Sequence, residues 1–502
     1  MQQQISTHID IAHRFLKLYI YRNKNYLLGT IKTFFKDTII YGMATVLPRL
    51  MNFVLVPLHT DYLGTESYSD NTTFYVYAAF FNVLLTYGME TSFFRFFSKS
   101  DEKDKVFSTT FISLVVSTVL FFIVVMVFNE QLAAVFNLNQ TYFNLLVGVL
   151  VLDTLVVAPF AYLRATGRPI KFVTIKIINI MAVVLFNFFF LWAIPEFHIN
   201  FPNYDTNDLV KYIFIANLIA SIITLLLLLP YFFKTKLQFS TSIFKQLINY
   251  GWPIMVAGLA YVINENFDKW VLPELLDKNI NGAYAGCYKI AVFMTIFIQA
   301  FRLGAEPFFF NHAKEANAKE TYARILKYFV IFGSLMLVFI VAYLHIFKAL
   351  IVRDESYWIA IQIVPIVLLA NLCLGIYFNL AIWYKLTDKT RYGMYISLAG
   401  AVITIVFNYV MIPKIGFMAA AWATLIAYVS MMIISYLLGK KYYPVPYDLT
   451  KIGGYLLLAI AFSALSFYRF SENYYVSTIL VLVFLGIIAL IEKRELKQLF
   501  KK

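Results

Sequence analysis

Charge is scarce in this chain. Only 14% of its 502 residues are Asp, Glu, Lys or Arg, where a soluble domain carries about 25%. With 61% hydrophobic and 18% aromatic residues, too little polar surface remains to cover a soluble fold. That deficit excludes soluble enzymes and nucleic-acid binders. Acidic residues are the scarcer sign, 28 against 42 basic, for a net charge of +14. Cysteine is nearly absent, which excludes a secreted disulfide scaffold. Cys287 and Cys373 both fall in apolar segments and read as small core residues. The six His residues (His8, His13, His59, His198, His312, His345) have no ligand spacing, and no glycine-rich phosphate loop occurs. No metal, cofactor or ATP-hydrolysing site is therefore expected, and no enzyme.

What the chain has is apolar length. Its mean hydropathy is +0.72, and fourteen segments, the first at 38–58 and the last at 474–491, reach the roughly 20 residues needed to cross a bilayer. The expectation is an all-α, multi-pass membrane protein. If the N-terminus is placed inside, the inner flanks carry 31 Lys and Arg and the outer loops 7. That bias puts both termini in the cytoplasm and accounts for most of the basic balance without a nucleic-acid partner. No cleavable signal peptide is visible. The basic segment 1–36 reads equally as a helix lying on the inner leaflet or as a disordered tail.

The chain also resembles itself. Lys36 to Gly42 (KDTIIYG) returns as Lys245 to Gly251 (KQLINYG), and Gly88-Met-Glu90 returns as Gly304-Ala-Glu306. Arg168 and Asn187, like Lys389 and Asn408, stand 19 residues apart, preceded by Thr166 and Thr387. Each copy holds six spans. Six is even, so both copies cross in the same direction as a parallel repeat. The expected organisation is a cytoplasmic segment 1–36, an N-lobe at 37–240, a C-lobe at 241–441, and two extra helices with a basic tail at 442–502. Two six-helix lobes leave a central cavity between them.

Polar residues within the spans are costly, roughly 2.5–3.5 kcal/mol for a charge at the bilayer centre, so they mark cavities or partners. Span one carries Thr45, Arg49 and Asn52 on one face, and span two carries Asn82, Thr86 and Glu90. Span eight carries Tyr284, Tyr288, Thr295, Gln299, Arg302 and Glu306 as a stripe, with Lys289 about 100° off it. Thr45, Arg49, Asn52, Lys289, Gln299 and Arg302 are the candidate substrate ligands. Asp153, Glu90 and Glu265 are the candidates for ion coupling. Structural readings stand beside these. Lys176 snorkels to the inner face; Glu265 pairs with Lys269, Arg302 with Glu306, and Arg49 with Asp153.

Several motifs, in order, are similar to those of a known family: YGxxxxLPRLxxFxxxPLHTxxLG (Tyr41 to Gly64), GMExSFFRFF (Gly88 to Phe97), YGWPIM followed by INENFDKW, and PKIGFMAAAWAT (Pro413 to Thr424). Over about 40–500 the chain resembles the bacterial polysaccharide flippases of the multidrug/oligosaccharidyl-lipid/polysaccharide exporter superfamily. The resemblance implies alternating access without a cofactor. The substrate would be an undecaprenyl-pyrophosphate-linked oligosaccharide, moved to the outer leaflet of the bacterial inner membrane for O-antigen, capsule or exopolysaccharide assembly. It implies a monomer among membrane lipids, with a polysaccharide polymerase or glycosyltransferases as partners. Related lipid II flippases place essential Arg residues in the first and eighth helices. Arg49 matches the first, and Lys289 stands as a basic residue for the second. The alternatives are a lipid II flippase or a multidrug/cation antiporter of the same superfamily. The antiporter is disfavoured because span one has an Arg and no acid. A membrane glycan polymerase or ligase is disfavoured because the longest outer loop, 195–211, is too short for a catalytic domain.

Overall fold

Backbone groups in a bilayer core must be satisfied within the chain, and here only helices do so. A computed structural model describes residues 50–493 apart from 52, 234, 235, 314, 388, 471 and 472. Among these residues there is no strand. The all-α membrane fold expected from the sequence is the one that forms.

The last part of the first span is helical over 53–62 (α1). The segment expected as the second span is helix Thr65–Thr86 continued by Met89–Lys99 (together α2). Among the described residues twelve helices, all after α2, are long and apolar enough to cross a membrane. They are Lys103–Val127 (α3), Gln140–Ala165 (α4), Pro169–Glu196 (α5), Val210–Phe232 (α6), Thr241–Leu275 (α7) and Lys278–Phe310 (α8). Ala318–Ala342 (α9), Ile363–Leu386 (α10), Arg391–Ile415 (α11), Met418–Tyr442 (α12), Leu449–Arg469 (α13) and Tyr474–Ile491 (α14) complete the set.

Local signals set the helix starts. Asn139, Ser240, Asp277, Asp448 and Asn473 each cap a helix, accepting a hydrogen bond from a first-turn amide. Pro169 opens α5, where its missing N–H costs nothing. Pro253 lies inside α7 without interrupting it. The outer surface is apolar: on α3, Val116, Leu120, Ile123 and Val127 are all exposed along one face. Such a stripe belongs against lipid.

Packing partners recur with a shift of six helices. In the first half α2 and α3 pack on α4, α4 on α6, and α6 on α5. In the second half α8 and α9 pack on α10, α10 on α12, and α12 on α11. The halves meet through α2, which touches both α7 and α8. At one end of α2, a Cβ on Gly282 would lie 1.8 Å from the Thr65 carbonyl oxygen. At the other, a Cβ on Gly88 would lie 2.3 Å from the Gly251 oxygen. Both contacts need bare backbone. Helices α13 and α14 dock on α9.

Helix α5 passes into π winding at Phe189–Ala193, and two further changes of winding lie in α2 and α8. Helix α2 is interrupted at Tyr87 and Gly88, with φ of 33° and 74°. Helix α8 tightens to 3-10 winding at Lys289–Ala291, where Asn371 of α10 donates to the Ala291 carbonyl at 3.4 Å.

Candidate functional site

The central cavity lies between the halves as two adjoining chambers. One, of ≈ 290 Å³, is walled by Phe53, Tyr261, Thr295, Gln299 and Phe378. The other, of ≈ 330 Å³, is walled by His59, Tyr68, Asn71, Thr72, Tyr75, Asn266 and Lys269. Val56, Glu265, Tyr288, Lys289 and Val292 border both. Lys289 thus sits at the waist.

The helix break explains how it gets there. An α-helix advances 100° per residue and a 3-10 helix about 120°, so three residues of tighter winding add about 60°. That carries Lys289 onto the face of Thr295 and Gln299. The expectation that it lies off the stripe is corrected by this local winding. Among the described residues Lys289 makes no hydrogen bond or ion pair, and the nearby charge of Lys269 is of the same sign. Lys269 is itself compensated. Its ammonium lies 3.0 Å from the Asp268 carboxylate and 3.7 Å from the centre of the Tyr288 ring.

Glu265 does not pair with the Lys269 side chain, contrary to expectation. Its carboxylate accepts from Tyr428 of α12, and only its backbone carbonyl receives Lys269, at 3.1 Å. The acid one residue before Lys269, Asp268, takes the ammonium instead and also accepts from Tyr284 at 2.7 Å.

Other candidates fall elsewhere. Thr45, Arg49 and Asn52 lie outside the described residues. Gln299 lines the cavity. Arg302 stands behind the wall: its guanidinium lies 4.0 Å from the centre of the Phe378 ring and pairs with Glu306 at 3.1 Å, as the structural reading expected. Asn82, Glu90 and Asp153 line a separate cavity of ≈ 520 Å³ inside the first half, with Lys176, Asn179 and Ser221. Asp153 accepts from Ser221 at 2.8 Å. The Lys176 ammonium lies 4.3 Å from the centre of the Phe160 ring and borders this cavity. Glu90 is tied to Arg164 at 2.7 Å.

The polar and aromatic residues of α2 that do reach the central cavity are Tyr68, Asn71, Thr72 and Tyr75. Their spacing of i, i+3, i+4 and i+7 was the available signal, as was His59 next to an apolar run. Among the described residues no cluster of His, Cys, Asp or Glu suits a metal ion.

A helical shell around a polar, tyrosine-walled waist, built as two similarly packed halves, is the architecture of a membrane transporter. The polysaccharide biosynthesis protein family matches residues 34–311, and the MatE family matches 253–410. The chain belongs to the polysaccharide biosynthesis protein family, within a superfamily of flippases and transporters. No curated protein matches it. Among solved structures it resembles the lipid II flippase MurJ in an inward closed conformation, with TM-score 0.71 and 14% identity over 91% of this chain and 100% of that one. It also resembles an inward-facing multidrug resistance MATE family transporter of the MOP superfamily, with TM-score 0.63 and 14% identity over 81% and 95%. A Vibrio cholerae MATE transporter gives TM-score 0.57 and 14% identity over 82% and 96%. At such identity these similarities establish the fold.

Proposed function

We propose that this protein carries an undecaprenyl-pyrophosphate-linked oligosaccharide from the cytoplasmic to the outer leaflet of the bacterial inner membrane. The observation that carries the reading is Lys289: a cation with no partner among the described residues, at a helix break, in a tyrosine-walled cavity between two halves. A buried charge without compensation is costly. An anionic group of the substrate relieves that cost when it binds. Arg49 is the second cation we assign to the phosphates, with Thr45, Asn52 and Gln299 as polar neighbours. The cell interior is negative, so exporting about two negative charges releases roughly 4–5 kcal/mol per 100 mV. Of the carboxylates, Asp153 and Glu265 are those we assign to ion coupling. Glu90, bound to Arg164, belongs to a structural clamp.

In this reading residues 37–240 and 241–441 act as the two lobes of a monomer, with both termini cytoplasmic. Single cysteines at Asn139 and Asn203 then react with an impermeant thiol reagent in whole cells, and one at Ser98 only after permeabilisation. Labelling of Ser98 and Asn139 from the same side overturns the topology.

For the transport reading, Lys289→Gln is expected to cut export at least tenfold at normal protein abundance, and Lys289→Arg to keep most of it. Wild-type export by Lys289→Gln overturns it. A lipid II flippase is the second reading, favoured because the fold similarity spans the whole of that flippase. Rescue of a lipid II flippase-depleted cell by this protein would select it.

A further inference from the structure

Lys289 answers for an anion, but the ≈ 330 Å³ chamber beside it has a different character. Tyr68, Asn71, Thr72 and Tyr75 lie on one face of α2, so rings and hydrogen-bonding groups alternate along the chamber wall. Asn71 is only 5% exposed, yet its Oδ1 has no partner among the described residues. The hydroxyl of Tyr288 is buried and equally unpartnered there. Buried polar groups are nearly always paired, and an unpaired one costs about 1–3 kcal/mol. Two of them around one chamber mark positions for a hydrogen-bonding guest.

His59 adds a third. Its Nε2 lies 2.8 Å from Asn187 Oδ1, while Asn187 Nδ2 donates to the Val183 carbonyl at 2.7 Å. Asn187 therefore presents its acceptor to His59. Nε2 carries the proton, and Nδ1 is left as an acceptor. The Thr72 hydroxyl donates to the Tyr68 carbonyl at 2.9 Å, so toward the chamber it too is an acceptor. The chamber thus offers acceptors at Asn71, His59 and Thr72, a hydroxyl at Tyr288, and aromatic faces. Its one carboxylate among the described residues, Glu265, accepts from Tyr428. Surplus acceptors suit a phosphate poorly, and bordering Lys269 and Lys289 suit a cation poorly. A neutral ring carrying many hydroxyls, with an apolar face to lie on tyrosine, fits both the acceptors and the rings.

We propose that this chamber is a carbohydrate subsite. It receives the first sugars of the lipid-linked substrate while Lys289, at the waist, holds the phosphate. The proposal rests on the transport reading above and deepens it: the glycan lies toward the Thr65 end of α2, and the lipid-bearing phosphate trails toward Gln299.

The test uses the full chain in nanodiscs and two probes. One is undecaprenyl pyrophosphate without sugar; the other is the lipid-linked oligosaccharide extracted from the native host. Asn71→Leu, and independently the near-isosteric Thr72→Val, are expected to weaken binding of the glycosylated lipid about tenfold and to leave the sugar-free lipid within about twofold. Lys289→Gln is expected to weaken both. Equal weakening of the two lipids by the α2 variants, or weakening of neither, overturns the subsite while the transport reading stands. A wild-type protein that binds neither lipid overturns the transport reading and the subsite with it.

Discussion

Arg164 donates to Glu90 at 2.7 Å, and the contact is made a second time by Lys385 to Glu306, also at 2.7 Å. The two acids occupy the same place in the repeated Gly-x-Glu motif, at Gly88 and Gly304. The two bases each stand two residues before the repeated Thr, at Thr166 and Thr387. Each half thus clamps its second helix to its fourth. The second clamp has an added cation: Arg302 also reaches Glu306, and the corresponding residue of the first half is Thr86.

That difference sets unequal costs. The side chains of Arg164 and Glu90 are 40% and 46% exposed, so their pair is worth only about 0–1 kcal/mol. Glu306→Gln leaves two cations, Arg302 and Lys385, about one-third exposed and facing each other. Its expected cost is about 1–3 kcal/mol. Thermal unfolding in nanodiscs should show a clearly larger loss for Glu306→Gln than for Glu90→Gln; equal losses would contradict the double clamp.

The same motif predicts opposite outcomes at its two glycines. Gly88 has φ of 74° and touches the Gly251 backbone, where a Cβ would lie 2.3 Å from the carbonyl oxygen. Gly88→Ala is therefore expected to destabilise by more than about 1 kcal/mol. Gly304 is helical and has nothing within 4 Å of its would-be Cβ. Gly304→Ala is expected to be neutral, or to stabilise by roughly 0.5–1 kcal/mol through helix propensity. Melting curves of the two variants check the sign.

Much of this was legible in the sequence, for a physical reason. A helix in lipid satisfies its own backbone, so apolar length alone identifies the spans, and the motif repeat supplied the shift of six. The face of a polar stripe was legible too. What that face meets was not. One polar face runs along α2, but Tyr68 to Tyr75 meet the central cavity while Asn82 meets a cavity within the first half. The neighbours change along the helix, and periodicity carries no information about neighbours. Lys289 was misplaced in angle because a three-residue change of winding leaves no compositional mark. The choice of Asp268 over Glu265 by Lys269 depends on Tyr428 arriving from α12, which is distant in sequence.

A third prediction of stability concerns pH. Glu492, just past α14, is buried, and burial alone would raise its carboxyl. Hydrogen bonds from Tyr455, Lys327 and Lys451 outweigh that and hold it at about 2, below the ordinary 4.5. A carboxyl held down in the folded state contributes stability that is full above its unfolded value and is lost as pH falls through the folded one. Glu492→Gln is expected to cost on the order of 3 kcal/mol at neutral pH. The gap from wild type should close between pH 4.5 and about 2, as the wild type loses its own charge. A gap unchanged across that range would mean the carboxylate contributes shape and not charge.

The last prediction concerns how the cavity opens. At the Thr65 end of α2 the halves are held by Asn281 donating to Ser69 at 2.7 Å, Thr65 to Asn279 at 2.8 Å, and the Lys278–Asp70 ion pair at 2.8 Å. At the Gly88 end the hold is Ser92 donating to the Leu247 carbonyl at 2.9 Å, with Arg95 lying 4.3 Å from the centre of the Tyr250 ring. A substrate that crosses between the halves needs each end to part in turn. The bonds are neutral or solvent-accessible and individually worth about 1 kcal/mol, so a few kcal/mol of differential substrate binding is enough to shift the balance. A short thiol-to-thiol cross-linker between cysteines at Ser69 and Asn281 is therefore expected to stop export, and its reductive cleavage to restore it. A second cross-link between Ser92 and Leu247 is expected to do the same at the other end. Export that continues with the first cross-link complete would show that the Thr65 end stays closed throughout the cycle, and that the substrate leaves by another gap.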